Sequence, residues 1–424
     1  MFCGEAERLM SCAVRFILLM VMLASATLGQ DVAPPPDLLV DGVPPIPKSI
    51  GAGAYPYRAY TSSSLIGWDP TKPRPIVTWI HGGSLQAGVV QSPGEPPDSF
   101  TPLPDGYSEI YCEPGGKYFL YLKATGEGSQ TQLYRYDPGT KVSTLLTDGK
   151  SRSRYPIWSN SGKRIAYSSA HRNGIDLDIY IMDPLDPGSG RMVAEVKGGD
   201  WAPFAWSPDD RQLILSNALS SEETYLWLLD LESGSMTLLT PKDGGQKAFN
   251  GNYAYFSKDG KGIYISTDQG NEFRRLTYQD LATGKRRFLT EGIPWNVDEF
   301  ALSPDGKTLA FISNEDGIGR LHVMDTATYR ELPVPSLLGT GSILAGQGVV
   351  SGLQWHRSLP YVGFVFSSTK NPPEVLSLNI ANGELQRWTR ATKPIQTAEL
   401  REPELIKWKS FDGRTISGYL YRPS

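Results

Sequence analysis

The sequence is short of the residues that usually carry chemistry. It has four histidines and three cysteines in 424 residues. His171, His322 and His356 lie far from one another and from any cysteine at metal-ligand spacing, so no metal or other cofactor site is expected. It also lacks an excess of charge. With 41 basic against 45 acidic side chains the formal net charge is −4, and both signs are scattered along the chain. That leaves no basic stripe for nucleic acid. Long amphipathic helical periodicity is missing as well, which argues against a helical fold. The one long apolar run, Phe16 to Gly29, is too short to span a bilayer comfortably.

What is abundant is turn chemistry and aromatic surface. There are 44 glycines, 33 prolines and 11% aromatic residues, the composition of an all-β chain with many reversals. The stretch Leu302 to Asp325 shows the pattern in full. Ser303-Pro304-Asp305-Gly306 suits a type I turn. Thr308 to Ile312 reads as a strand buried on both faces, Asn314-Glu315-Asp316-Gly317 as a second turn, and Leu321 to Met324 as a second strand.

The unit recurs. Copies begin at Trp158, Trp206 and Phe256, and weaker ones at Trp68, Cys112 and Trp355, making seven units about 44 to 53 residues apart. The second strand repeats as Leu133–Asp137, Ile179–Asp183, Leu226–Asp230, Leu276–Asp280 and Val375–Asn379, and a closing Leu-Thr appears at 146–147, 239–240 and 289–290. Seven short-strand units at a period near 45 predict a seven-bladed β-propeller over residues 61–390.

The segments outside the repeats read differently. Residues 1–26 have the form of a signal peptide: Arg8 and Arg15 flank the apolar run, and Ala24-Ser25-Ala26 suits cleavage. Glu5 and Glu7 dilute the basic flank, and a start at Met10 gives a cleaner signal. Export to the periplasm or the medium is expected, with no stable membrane span after cleavage. Cys3 and Cys12 would leave with the signal, making Cys112 the single thiol. Residues 27–60 hold Pro34-Pro35-Pro36, Pro44-Pro45 and Pro47 and are expected to be an extended leader. Residues 391–424 end in a hairpin: Leu405 to Ser410 and Thr415 to Tyr421 alternate around Asp412-Gly413. Its apolar residues Ile406, Trp408, Ile416 and Leu420 find no neighbour in the sequence, so disorder or self-association is expected there.

From Leu146 to Asp183 onward, through Pro156-Ile157-Trp158-Ser159, Ile165-Ala166-Tyr167 and Asp178–Asp183, the repeats resemble those of TolB-type propellers and of the propellers in prolyl-oligopeptidase-like (S9) serine peptidases. The closing hairpin resembles the first strands of the S9 α/β-hydrolase domain. This resemblance implies the substrate-gating part of an exported peptidase acting on short peptides, cut before its catalytic domain. The peptide substrate would then meet the chain through that missing domain. The alternative is a TolB-like scaffold for protein partners. No catalytic residue transfers to this sequence. His81-Gly82-Gly83-Ser84 is read as a glycine-rich hairpin turn and the three later histidines as structural or exposed. Glu222 and Glu223 are the one candidate substrate contact, paired acids able to attract a substrate ammonium.

Overall fold

The computed structural model describes residues 31–81, 84–100, 107–125, 130–241, 250–335, 347–392 and 400–422. It divides into two compact units, one reaching Tyr60 and the other beginning at Thr61. In the first, the expected extended leader is only partly extended. Val32 donates to the Ile46 carbonyl at 2.8 Å, but Lys48–Arg58 forms an α-helix, α1, with none of its residues buried. The prolines stop at Pro47, the residue before the helix starts, and the chain is then proline-free until Pro56, so the backbone can turn helical once the imposed φ values end.

The second unit is built from seven four-stranded antiparallel sheets, each a meander in sequence order. They occupy residues 63–99, 107–145, 153–194, 200–238, 250–288, 297–332 and 348–387. The first strand of each sheet lies innermost. That of the first sheet touches those of the second and the seventh, so the row of sheets closes into a seven-bladed propeller. Each second strand is buried on both faces between neighbouring blades, as Gly262–Thr267 shows over its whole length. The cores accordingly lie between blades. Ala310, Ile312 and Val323 of blade 6 pack with Val350, Phe364, Phe366 and Leu376 of blade 7, and each large side chain so buried contributes about 1.5–3 kcal/mol.

The repeated sequence unit straddles three strands, because its turn joins the first and second. Gly306 N–H donates to Ser303 O, Gly260 to Ser257 O and Gly162 to Ser159 O, with each glycine at φ near +70°, the left-handed value that suits glycine. The serine hydroxyl caps the turn from inside: Ser303 Oγ accepts Thr308 N–H at 2.9 Å, and Ser207 Oγ accepts Gln212 N–H at 2.8 Å. The Leu-Thr pair also has a shared duty. The threonine hydroxyl accepts a third-strand N–H in Leu133–Thr147, Leu226–Thr240 and Leu276–Thr290, which stitches the outer edge of the blade to its centre.

Blade 7 and blade 1 meet without exchanging a strand. Side chains hold that seam instead. Trp68 Nε1 donates to Gln354 O at 3.1 Å, and Gln354 Nε2 returns to Leu65 O at 3.3 Å. His356, 1% exposed, bonds Lys72 O through Nε2 and accepts the Ser358 and Leu359 N–H groups on Nδ1. Both ring nitrogens are occupied, which fixes the neutral Nε2–H tautomer. Burial pushes the His356 pKa below its usual value, against the Lys72 carbonyl that favours the charged form.

Candidate functional site at the hairpin-bearing end of the channel

Because the strands alternate in direction, every link between second and third strands emerges at the same end of the ring. The C-terminal hairpin, Glu404–Lys409 paired with Thr415–Leu420, is seated on three of these links. Asp316, in the blade 6 turn, accepts Lys407 Nζ at 2.7 Å and the Ser417 hydroxyl. Arg414 pairs with Glu272 of blade 5 at 2.7 Å. Glu402 meets Thr369 at 3.1 Å and Lys370 at 3.3 Å on blade 7. The Tyr419 ring lies so close over Gly317 that a Cβ there would sit 2.9 Å from it. The expectation of a hairpin without neighbours is therefore corrected. Its partners are polar groups on remote turns, which strand alternation does not reveal. Trp408 and Ile416 nevertheless stay exposed, at 48% and 38%.

The sequence-derived acids sit at this same end, in the blade 4 link between Gln212–Ser220 and Glu223–Asp230. They are not equivalent. Glu222 is exposed and its N–H donates to Ser220 Oγ at 3.2 Å. Glu223 is buried, 6% exposed, and accepts the Tyr225 hydroxyl at 2.7 Å. A free ammonium can reach the first directly, whereas the second belongs to a local network.

The channel wall below carries groups that the sequence did not single out. Tyr155 sits in its strand with φ of +56°, a conformation rare for a bulky residue and a form of stored strain. Its hydroxyl donates to Asp200 of blade 4 at 2.7 Å, Arg154 lies 4.5 Å over its ring, and burial with the nearby Asp200 carboxylate raises its pKa to about 12. Glu299 of blade 6 accepts the backbone N–H groups of Gly352 at 2.9 Å and Leu353 at 2.5 Å, in a bulge of the innermost strand of blade 7. Burial raises the Glu299 pKa, partly offset by those two donors.

Of the later histidines His356 is held in the fold and His171 is exposed, while His322 has a deceptive geometry. Ser313 Oγ lies 2.9 Å from His322 Nε2, and His322 Nδ1 lies 3.1 Å from Glu331. Serine, histidine and acid in that order resemble a catalytic triad. Yet Ser313 is 0% exposed, so no scissile carbonyl can approach it. Its hydroxyl also meets Glu315 at 3.0 Å, and the ring is stacked on Phe311 at 4.6 Å. His171 is exposed and pairs with Asp148. His81 and Ser84 face each other across a hairpin, while Gly82 and Gly83 lie outside the described residues, as does the expected signal peptide 1–26. Among the described residues no cluster of histidine, cysteine, aspartate and glutamate could hold a metal, and no helix is long and apolar enough to cross a membrane.

Comparison with known proteins agrees with this architecture. A profile of the TolB beta propeller domain matches residues 117–332, just over half of the chain. An uncharacterized peptidase of Bacillus subtilis, YuxL, is 26% identical over 205 residues, covering 47% of this chain and 28% of that protein. Dipeptidyl-peptidase 5 of Porphyromonas gingivalis is 25% identical over 253 residues, covering 55% of this chain and 34% of its own length. The chain thus spans about a third of the curated relatives it matches. Among solved structures, a prolyl endopeptidase superposes with a TM-score of 0.67 at 16% identity, covering 87% of this chain and 55% of the other. Puromycin hydrolase gives 0.61 at 18% identity, covering 85% and 62%. The chain belongs to the TolB β-propeller family, and its ring has the fold of the propeller portion of prolyl-oligopeptidase-like peptidases.

Proposed function

We propose that this chain supplies the substrate-gating propeller of an exported serine peptidase of the prolyl-oligopeptidase-like class that acts on short peptides, with its catalytic residues in sequence beyond Ser424. By itself it would hydrolyse nothing. The observation that carries this reading is the hairpin. It leaves the ring after blade 7, sits on blades 5 to 7 through Asp316, Glu272 and Lys370, and keeps Trp408 and Ile416 exposed, ready to join a further sheet. The names of the curated relatives as peptidases support the same reading.

On this reading a catalytic domain covers the hairpin-bearing end, and the ring restricts what reaches it by size. Glu222 is then placed to attract the ammonium of a peptide's N-terminus, with Glu223 and Tyr225 holding the turn. The second reading, a TolB-like exported scaffold for protein partners, draws on the profile match. The coding DNA downstream of codon 424 separates the two: an in-frame Gly-x-Ser-x-Gly is expected, and a stop codon with no such motif would favour the scaffold. A fluorophosphonate probe should leave the 424-residue chain unlabelled, and stoichiometric labelling of any serine in it would contradict its inactivity.

A further inference from the structure

The opposite end of the channel is closed by the turns between first and second strands. There the second turn residue of every blade lines the axis. In four blades that residue is proline, at 70, 114, 208 and 304, the choice that presets a type I turn. In blades 3, 5 and 7 it is Asn160, Lys258 and Arg357. The turn itself does not ask for these three; the Asn160 amide ties its turn to blade 4, donating to Ser207 O at 2.8 Å and Asp210 at 3.0 Å, whereas Lys258 and Arg357 stay exposed.

Their placement is informative. Arg357 reaches from blade 7 to blade 3, within 3.4 Å of the Asn160 carbonyl, and neither it nor Lys258 has a carboxylate partner among the described residues. Both cations line one hollow, and the Glu113 carboxylate in the same lining accepts the Lys117 N–H at 3.0 Å and pairs with neither. Behind them lie two hollows of about 380 and 350 Å³ that share Trp158, Asn160, Lys258 and Pro304 as walls, each large enough for a small ligand. Aromatic side chains, chiefly Trp158, Trp206, Trp355 and Tyr255, complete those walls.

Trp158 adds a second sign. The tryptophans at its equivalent positions stitch neighbouring inner strands: Trp206 Nε1 donates to Ile157 O at 3.4 Å, Trp355 to Ala301 O at 3.0 Å and Trp68 to Gln354 O at 3.1 Å. Trp158 Nε1 is buried and has no acceptor. A buried donor left unpaired costs about 1–3 kcal/mol, and the same residue walls both hollows.

We propose that the turn end of the channel is a binding site for a carboxylate carried on a slender apolar body, as at the free C-terminus of a peptide. Lys258 and Arg357 bind the carboxylate, and the aromatic and proline walls, Trp158 among them, take the apolar part. Because this end lies away from the hairpin, Glu222 and Glu223, the site stands whether or not a catalytic domain follows.

The test is calorimetric titration of the full chain with acetyl-Ala-Pro-Leu-Phe as the free acid, the same peptide as its carboxamide, and 3-phenylpropionate. The acid should bind saturably and weaken with salt, and the carboxamide should bind at least about tenfold more weakly. The double variant Lys258→Gln/Arg357→Gln should bind acid and carboxamide alike, with an unchanged melting temperature because both side chains are exposed. If 3-phenylpropionate binds as tightly as the peptide acid, the ligand is a small free acid and not a chain end. The proposal is overturned if acid and carboxamide bind equally to the natural chain, if the double variant keeps the preference, or if no saturable binding appears up to about 5 mM.

Discussion

The two ends of the ring are built on different economies of structure. At the turn end one device is repeated, a serine-capped reversal with glycine in the fourth place. Where a blade departs from it, the replacement does the same job: Asp210 takes the glycine's place at φ +58°, which aspartate tolerates, and its carboxylate accepts the Asn160 and Ser161 N–H groups of the next turn. At the hairpin end the Leu-Thr stitch recurs, but the contacts that tie other elements together there do not. Glu299, the strained Tyr155 and Asp316 each make contacts that no other blade copies. Redundant devices fail gently, and unique ones fail at a single substitution.

The sharpest way to expose that difference is Glu299→Ala. It strips one buried and one part-buried N–H group of their acceptor between blades 6 and 7 and should cost about 3 kcal/mol in urea unfolding. If it costs under about 1 kcal/mol, Glu299 is not a clamp and the hairpin end is as redundant as the other.

A smaller loss, about 2 kcal/mol, is expected for His356→Ala, because His356 replaces the turn serine at the seam where the last blade meets the first. Its pH dependence gives a second reading. The folded-state pKa lies below the unfolded one, so the unfolded chain binds the proton more readily. Stability is then full above the ordinary histidine value of about 6.5 and falls as the pH drops below it. The slope of stability against pH just below that value should flatten in His356→Asn, and an unchanged slope would place the acid sensitivity elsewhere.

Ser303→Ala should cost only about 1 kcal/mol, since one of several equivalent caps is lost. Ser207→Ala should match it within a few tenths, and a large disparity between the two would break the claim of equivalence. The least effect on the ring is expected from Asp316→Ala, which releases the hairpin and leaves the blades' melting temperature within about 2 °C.

How much of this could be read from the sequence follows the same division. The blades, their turns and the burial of strands such as Gly262–Thr267 were legible because local turn chemistry and strand periodicity agree in copy after copy. Even the degraded copies at Trp68 and Trp355 proved to be blades. The candidate site was not legible beyond Glu222 and Glu223, whose unequal burial depends on where the turn falls. Glu299 finds its donors 53 and 54 residues later. The Ser313, His322 and Glu331 row arises only from the register of three strands. The helix Lys48–Arg58 escaped notice because the prolines before it dominate the composition. The hairpin was read correctly as strands and wrongly as unpartnered, because its docking rests on single charges.

The most direct test of this account is hydrogen exchange across residues 404–420 in the natural chain and in Asp316→Ala. Asp316 holds both Lys407 and Ser417, and those contacts depress its pKa. Docking should therefore be complete above the ordinary aspartate range and be lost only as the pH falls through the depressed value. At neutral pH the hairpin amides should exchange slowly in the natural chain and fast in the variant, with the seven blades unchanged in both. Fast exchange in the natural chain, or equal protection in the two, would contradict a hairpin held on the ring through Asp316.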